Sequence, residues 1–292
     1  MRRVNIVKAG IGLPSTIPGV TCREIVEWSE HAETYGFSSL AVLDRLVYSN
    51  VEPLIALAAA AAVTSRIELA TTILIGPYRG NAALLAKQLA SIDLLSDGRL
   101  VLGIAAGTRE DDYQASHVDY SSRGRLFDAM LDEFDQVWSP ASGNLASGIG
   151  PKRPRRPMLI FGGTAPATFR RAATRGDGWI MGGGDAAAFE RGMRSLTAAW
   201  EEAGRQDQPR TSALAYFALG TDGPDHARDY LTDYYAFLGA PTAGAIAQSA
   251  ATDVAAVRAR MRDFAEAGCR ELVFIPCNRD PEQVRLLSEA LA

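Results

Sequence analysis

Lysine, histidine and cysteine are all scarce in this chain of 292 residues, and no apolar run is long. Only three of its 30 basic residues are lysines (Lys8, Lys87 and Lys152), which, beside abundant alanine, is the codon-usage signature of a high-GC genome. The cysteines Cys22, Cys269 and Cys277 are odd in number and lack metal-ligand spacing, so free thiols in a reducing compartment are expected. His31, His117 and His226 form no His-x-x-x-His pair, and Cys-x-x-Cys does not occur, so no metal site is expected. The longest apolar stretch, Pro53 to Val63, has 11 residues, too short to cross a bilayer. Met1-Arg2-Arg3-Val4-Asn5 carries no apolar segment of the signal-peptide kind, and a cytoplasmic location without membrane contact is the expectation. A net charge of −4 argues against a broad phosphate-neutralising face for nucleic acid. The one basic run, Lys152-Arg153-Pro154-Arg155-Arg156-Pro157, reads better as a solvated linker ahead of a strand than as an anion contact.

What is present is a globular composition, 47% hydrophobic and 22% charged, with 27 glycines and 14 prolines scattered throughout. Short β-rich runs alternate with longer helical ones. Strands are expected over residues 4–11, 39–44, 67–75, 100–105, 158–162, 178–181, 212–219 and 271–276. Most are continuous apolar runs, as in strands covered on both faces of a parallel sheet. Helices are expected over 22–35, 51–64, 82–95, 125–137, 165–174, 185–203, 225–238 with 253–267, and 281–290. Thr21 with Glu24 makes a capping box, and Gly36 and Gly268 close helices; Pro281 after Asp280 is a first-turn proline.

Eight such pairs fit a closed (β/α)8 TIM barrel or an open doubly wound sheet. The first strand leads into Gly10-Ile11-Gly12-Leu13-Pro14-Ser15, where proline spoils a dinucleotide fingerprint, so a single α/β barrel over 1–292 is the expected fold. A loop insertion is expected after strand 4, because residues 107–157 hold one helix and about 30 polar residues, which could be a lid at the mouth or a surface excursion. Strand ends are then the site candidates. Gly162-Gly163-Thr164 and Gly182-Gly183-Gly184 are glycine-rich and open helices, which suits phosphate; a flexible turn with Asp185 as helix cap explains the second equally well. Of the carboxylates Asp44, Glu110, Asp111 and Asp112, Glu110 is the better general acid and Asp44 the better orienter, with a plain ion pair to Arg45 or Arg79 as the rival reading of Asp44. Arg45 and Arg79 could hold an anionic substrate or a cofactor tail, or be surface ion pairs. Tyr78 and Tyr113 could line an apolar pocket or cap the barrel.

Ala32-Glu33-Thr34-Tyr35-Gly36-Phe37, Asp44-Arg45, Ala86-Lys87-Gln88, Asp93-Leu94-Leu95-Ser96-Asp97-Gly98-Arg99-Leu100, Phe161-Gly162-Gly163 and Gly176-Asp177-Gly178-Trp179 follow one another in an order and spacing that resemble the luciferase-like monooxygenases. This barrel group includes flavin-dependent monooxygenases and dehydrogenases using coenzyme F420. The resemblance implies a cofactor at the mouth, touching Thr72, Ile73, Ala106, Gly107, Gly162, Gly163, Thr164 and Gly182 to Gly184. Its ring would rest on a bulge in strand 3 with a cis peptide at Thr72-Ile73. It places Glu110 where F420-dependent relatives carry a proposed proton donor. Arg45 stands where those relatives often have histidine, Asp185 where some have lysine, and Gly80-Asn81 where many have His-Pro.

Two chemistries follow from the resemblance, and both are open. Either reduced FMN from a separate flavin reductase reacts with O2 beside a small organic substrate, or F420 transfers hydride. The missing histidine speaks against direct oxidation of an alcohol or sugar, which needs a base. A non-catalytic flavin-binding or interaction protein on the same barrel is the alternative, and a homodimer is a family expectation.

Overall fold

The computed structural model of the chain describes residues 7–139 and 145–292. Eight strands pair in parallel and close on themselves in chain order: β1 (Lys8–Gly12), β2 (Ser39–Val42), β3 (Glu68–Ile75), β4 (Leu100–Ala105), β5 (Met158–Gly162), β6 (Gly178–Met181), β7 (Arg210–Phe217) and β8 (Glu271–Pro276). Around them lie α1 (Cys22–Thr34), α2 (Pro53–Val63), α3 (Ala82–Leu95), α4 (Glu110–Ala115), α5 (Arg123–Trp138), α6 (Pro166–Arg175), α7 (Ala186–Glu202), α8 (Gly223–Tyr234), α9 (Ala240–Gln248), α10 (Val254–Glu266) and α11 (Glu282–Leu291). The expected TIM barrel is therefore present. The part of the first expected strand at residues 4–6 lies outside the described residues, and none of the helices is long and apolar enough to cross a membrane.

Alternation along each strand divides the core in two. Ala41, Ala70, Val101, Ile160, Ile180, Leu214 and Val273 point into the barrel, while Leu40, Leu69, Leu102, Phe161, Trp179 and Phe274 pack under the helices. The floor is closed by charge: Arg210 at the start of β7 reaches Glu68 on β3 at 2.5 Å and Glu271 on β8 at 2.8 Å. One irregularity interrupts the ladder. Thr71 pairs with Leu102 and Leu74 with Ile104, so β3 carries one residue more than β4, and the Thr72-Ile73 peptide within that bulge is cis.

Local signals mostly act as read. The Thr21–Glu24 capping box forms, and Gly36 and Gly268 adopt φ of +78° and +84°. Pro281 sits at the cap of α11 rather than inside it, because the Asp280 carboxylate accepts the Glu282 N–H at 3.0 Å and delays the helix by one residue. Helix α9 was not expected; its residues are mostly small, and it is held by packing on α8.

The insertion after β4 divides between the two ends of the barrel. Residues 107–122, with α4, sit at the mouth. Helix α5 then runs back, so 145–157 returns along the floor, where Arg153 pairs with Asp93 and Asp97, and Arg156 with Asp177. Of the expected insertion, 107–122 thus lies at the mouth and 145–157 away from it; residues 140–144 lie outside the described residues.

Glu33 ties α1 to the entrance of β3. Its carboxylate accepts the N–H groups of Ser65, Arg66 and Ile67 at 2.6–3.0 Å. Burial would raise its pKa, but these backbone donors prevail and lower it to about 2. The folded value lies below the ordinary ~4.3 of the unfolded chain, so the stabilisation is present above about pH 4.3 and is lost as pH falls towards 2. Glu33→Gln should cost about 1–2 kcal/mol at pH 7, kept modest by solvent screening. The difference from wild type in urea denaturation should shrink steadily below pH 4.3.

Candidate active site

A cavity of about 770 Å³ opens at the C-terminal ends of the strands, the end at which barrels of this kind carry chemistry. Its inner shelf is Ile73. The extra residue in β3 turns this side chain across the mouth, over the ends of β5 and β6. A Cβ on Gly162 would lie 2.2 Å from Ile73 Cδ1 and 3.0 Å from its Cγ1 and Cγ2; one on Gly182 would lie 3.2 Å from Cδ1. Gly162, which reads from sequence as part of a phosphate loop, is therefore also demanded by Ile73, whereas at Gly182 the contact is only slightly tight.

The bulge is held from below by Asp44, just past β2. Its carboxylate, 2% exposed, accepts the Ile75 N–H at 2.8 Å, the Tyr78 hydroxyl at 2.7 Å and Arg79 Nη2 at 3.1 Å. Burial raises the Asp44 pKa from its ordinary value, against the pull of Arg79 and the two other donors. For Arg79, burial would lower the pKa, yet Asp44, Tyr78 and Glu52 keep it above its ordinary value. Three donors converging on one carboxylate oppose the rise at Asp44 and favour its charged form. Asp44 thus forms with Arg79 the plain ion pair that was the rival of its two sequence readings. Arg79 is spent on Asp44 and, at 2.8 Å, on Glu52; it does not line the cavity and is not available to a substrate. Tyr78 and Tyr113 are buried beneath the wall and do not line it either.

Glu110 requires correction as the general acid. It opens α4, is exposed, accepts only from Gln114 at 3.3 Å and does not line the cavity. The helix turns Asp112, two residues later, inwards instead. Asp112 is 1% exposed, accepts the Leu46 and Val47 N–H groups at 3.2 and 2.8 Å, and lies 3.3 Å from Arg109 Nε. Its Oδ1 joins the end of β2 to α4, while its Oδ2 is buried with only the Arg109 ion pair beside it. The signal available in the sequence was helical phase: Asp112 neighbours Tyr113 on the face that must be buried.

Of the residues expected at the cofactor, Ile73, Ala106, Gly107, Gly162, Gly163, Thr164, Gly182 and Gly183 line the cavity, together with Asp44 and Arg45; Thr72 and Gly184 do not. Thr72 instead donates its hydroxyl to the Val42 carbonyl at 3.2 Å. The two helix N-termini at the mouth differ. Asp185 caps α7, accepting the Ala188 N–H at 2.7 Å, which puts a carboxylate where an anion would sit. The N-terminus of α6 has no side-chain cap, and Gly163 (φ +109°), Thr164 and Ala165 lead into it along the cavity wall. Sequence reading missed Arg109, Arg123, Phe127, Arg171, Met181, Tyr234 and Phe237, all of which line the cavity. Most come from the α5, α6 and α8 segments, far from the strand-end motifs. Among the described residues, no group of three or more His, Cys, Asp or Glu could hold a metal.

The sequence profile described as luciferase-like monooxygenase matches residues 6–275. An uncharacterized protein of Mycobacterium tuberculosis is 28% identical over 231 residues, covering 68% of this chain and 78% of that protein. Among solved structures, an F420-dependent secondary alcohol dehydrogenase in complex with an F420-acetone adduct superposes with a TM-score of 0.79 at 16% identity, over 97% of this chain and 98% of that one. The oxygenating constituent of a 3,6-diketocamphane monooxygenase from Pseudomonas putida, in complex with FMN, gives a TM-score of 0.72 at 17% identity, over 97% and 96%.

Two substitutions test this geometry. Gly162→Ala should lose about 1–3 kcal/mol through the clash with Ile73, and Ile73→Ala in the same chain should recover much of it in thermal denaturation. Asp44→Ala leaves a buried guanidinium with only Glu52, and should cost about 3 kcal/mol in chemical denaturation.

Proposed function

Since the chain belongs to the luciferase-like monooxygenase family, we propose that it is an oxidoreductase whose mouth cavity binds a reduced FMN or coenzyme F420 beside a small organic substrate. The observation that carries this reading is the pairing of an uncapped helix N-terminus with an apolar shelf in one cavity. The α6 N-terminus, reached through Gly163 and Thr164, would take the phosphate, with the Arg123 guanidinium adding positive charge, while Arg171 at the same wall is paired with Asp128. Ile73 would carry the ring, and Asp44 holds that shelf in place through Ile75. The cofactor, when bound, supplies hydride, or in the case of FMN the reaction with O2. Relatives of the same fold carry F420 in one case and FMN in another, which supports either.

The chain's own groups favour some reactions over others. Both carboxylates lining the cavity are engaged, Asp44 by Arg79 and Asp112 by Arg109, and no described histidine lines it. A free base to take a hydroxyl proton is thus lacking among the described residues, which favours monooxygenation, or reduction with a solvent proton, over alcohol oxidation. On the FMN route a separate reductase would deliver the reduced cofactor, and the walls of the cavity would keep the reacting centre dry.

Titration of the purified protein with FMN, reduced FMN and F420, followed by fluorescence quenching, should show saturable binding of at least one. Thr164→Glu places a carboxylate at the α6 N-terminus. It should weaken that binding about tenfold or more while leaving thermal stability unchanged or raised. Binding of none of the three would defeat the oxidoreductase reading and favour an interaction protein on this barrel; F420 binding alone would point to hydride transfer.

A further inference from the structure

Two arginines on the β2 and β4 side of the cavity have more donors than partners. Arg45 follows Asp44 but pairs with no carboxylate among the described residues; its Nη1 donates to the Tyr234 carbonyl at 2.6 Å, and its Nε is buried without a partner. Arg109 pairs with Asp111 and, at 3.3 Å, with Asp112, yet its Nη1 is likewise buried and unpartnered. Both guanidiniums stack on Phe237, at 5.5 and 4.0 Å from the ring centre, and Arg45 also lies 4.3 Å from the centre of Tyr48 and 5.1 Å from that of Tyr234. Aromatic faces hold the forks flat, but they offer no acceptor for in-plane N–H groups. Burial first, and the neighbouring Arg109 charge second, lower the Arg45 pKa against the smaller opposing effects of Tyr234, Tyr48 and Asp111. The rest of the wall is apolar: Ile73, Ile75, Phe127 and Met181 face the same space.

We propose that Arg45 and Arg109 together bind the carboxylate of a substrate whose remaining body is flat and apolar. The proposal rests on the oxidoreductase reading for the word substrate, but the site itself is defined by this chain's own donors. A planar carboxylate matches the planar guanidinium fork and supplies the counter-charge that Arg45, on the cavity wall, lacks among the described residues. The anion at the α6 N-terminus is a separate demand, met by different residues.

The test uses 4-fluorobenzoate and its uncharged counterpart 4-fluorobenzamide as probes of the full chain, followed by fluorine NMR, with and without saturating FMN or F420. Wild type should bind the benzoate about tenfold or more tightly than the amide, with cofactor present as well as absent. Arg45→Gln should remove about tenfold from benzoate binding and less than about twofold from amide binding. Arg45→Lys, which keeps the charge without the fork, should fall between; it also serves if Arg45→Gln does not fold. Equal binding of the two probes, binding of neither, or a preference unchanged in both variants would overturn the proposal. It would also fall if cofactor displaced the benzoate and Arg45→Gln weakened cofactor binding in parallel, since the pair would then belong to the cofactor. Failure of FMN and F420 to bind at all would sink the oxidoreductase reading while leaving the benzoate comparison, made without cofactor, to judge the arginine site.

Discussion

One extra residue in β3 shapes the whole mouth of this barrel. It changes the phase of the strand after Thr71, sending Leu74 under the helices and Ile73 across the opening. What lies opposite is small: the strand ending in Gly162 has no room for a Cβ without pushing Ile73 aside, and at Gly182 the contact would be slightly tight. The same displacement leaves the Ile75 N–H free to reach Asp44 on the neighbouring strand at 2.8 Å. Sheet irregularity, glycine positions and a buried carboxylate are thus one mechanical unit, and the cavity is what remains above it.

Charge at the mouth is arranged around two engaged carboxylates and a surplus of guanidinium. Asp44 accepts from the Ile75 N–H, Tyr78 and Arg79, and Asp112 from the Leu46 and Val47 N–H groups beside Arg109, which makes them braces between the end of β2 and its neighbours. Arg45, Arg109, Arg123 and Arg171 line the space above them. Such a site suits anions and offers little acid–base chemistry of its own, consistent with a barrel that leaves the redox chemistry to a bound cofactor. The opposite end is closed by the Arg210 cluster with Glu68 and Glu271, so function and closure occupy separate poles.

Much of the fold was legible because strand and helix periods are local. Leu100 to Ala105 is apolar throughout and is buried throughout, and the Thr21–Glu24 box starts α1 where it was read. Helix α9 escaped because Ala240-Pro241-Thr242-Ala243-Gly244 has neither strong propensity nor a long apolar stripe; contact with α8 makes it a helix. The insertion after β4 was visible as excess length, but its division between mouth and floor follows from the direction of α5, which no local pattern states. Glu110 was chosen over Asp112 because the strand-end rule treats residues after β4 as one loop, whereas α4 begins there and sorts them by helical phase.

The sequence by itself determined the βα alternation and the glycines at the strand ends, because each is written in contiguous residues, and the resemblance those residues carry implied the bulge at Thr72-Ile73. Only the tertiary structure decided which charges are free. Arg79 and Arg45 look alike beside their strand ends. Yet one is neutralised by Asp44 and Glu52, while the other is held by the Tyr234 carbonyl and the rings of Tyr48 and Phe237, with no carboxylate partner among the described residues. A guanidinium's role depends on the acceptors that distant segments bring within about 3 Å, and those distances exist only once the barrel has closed.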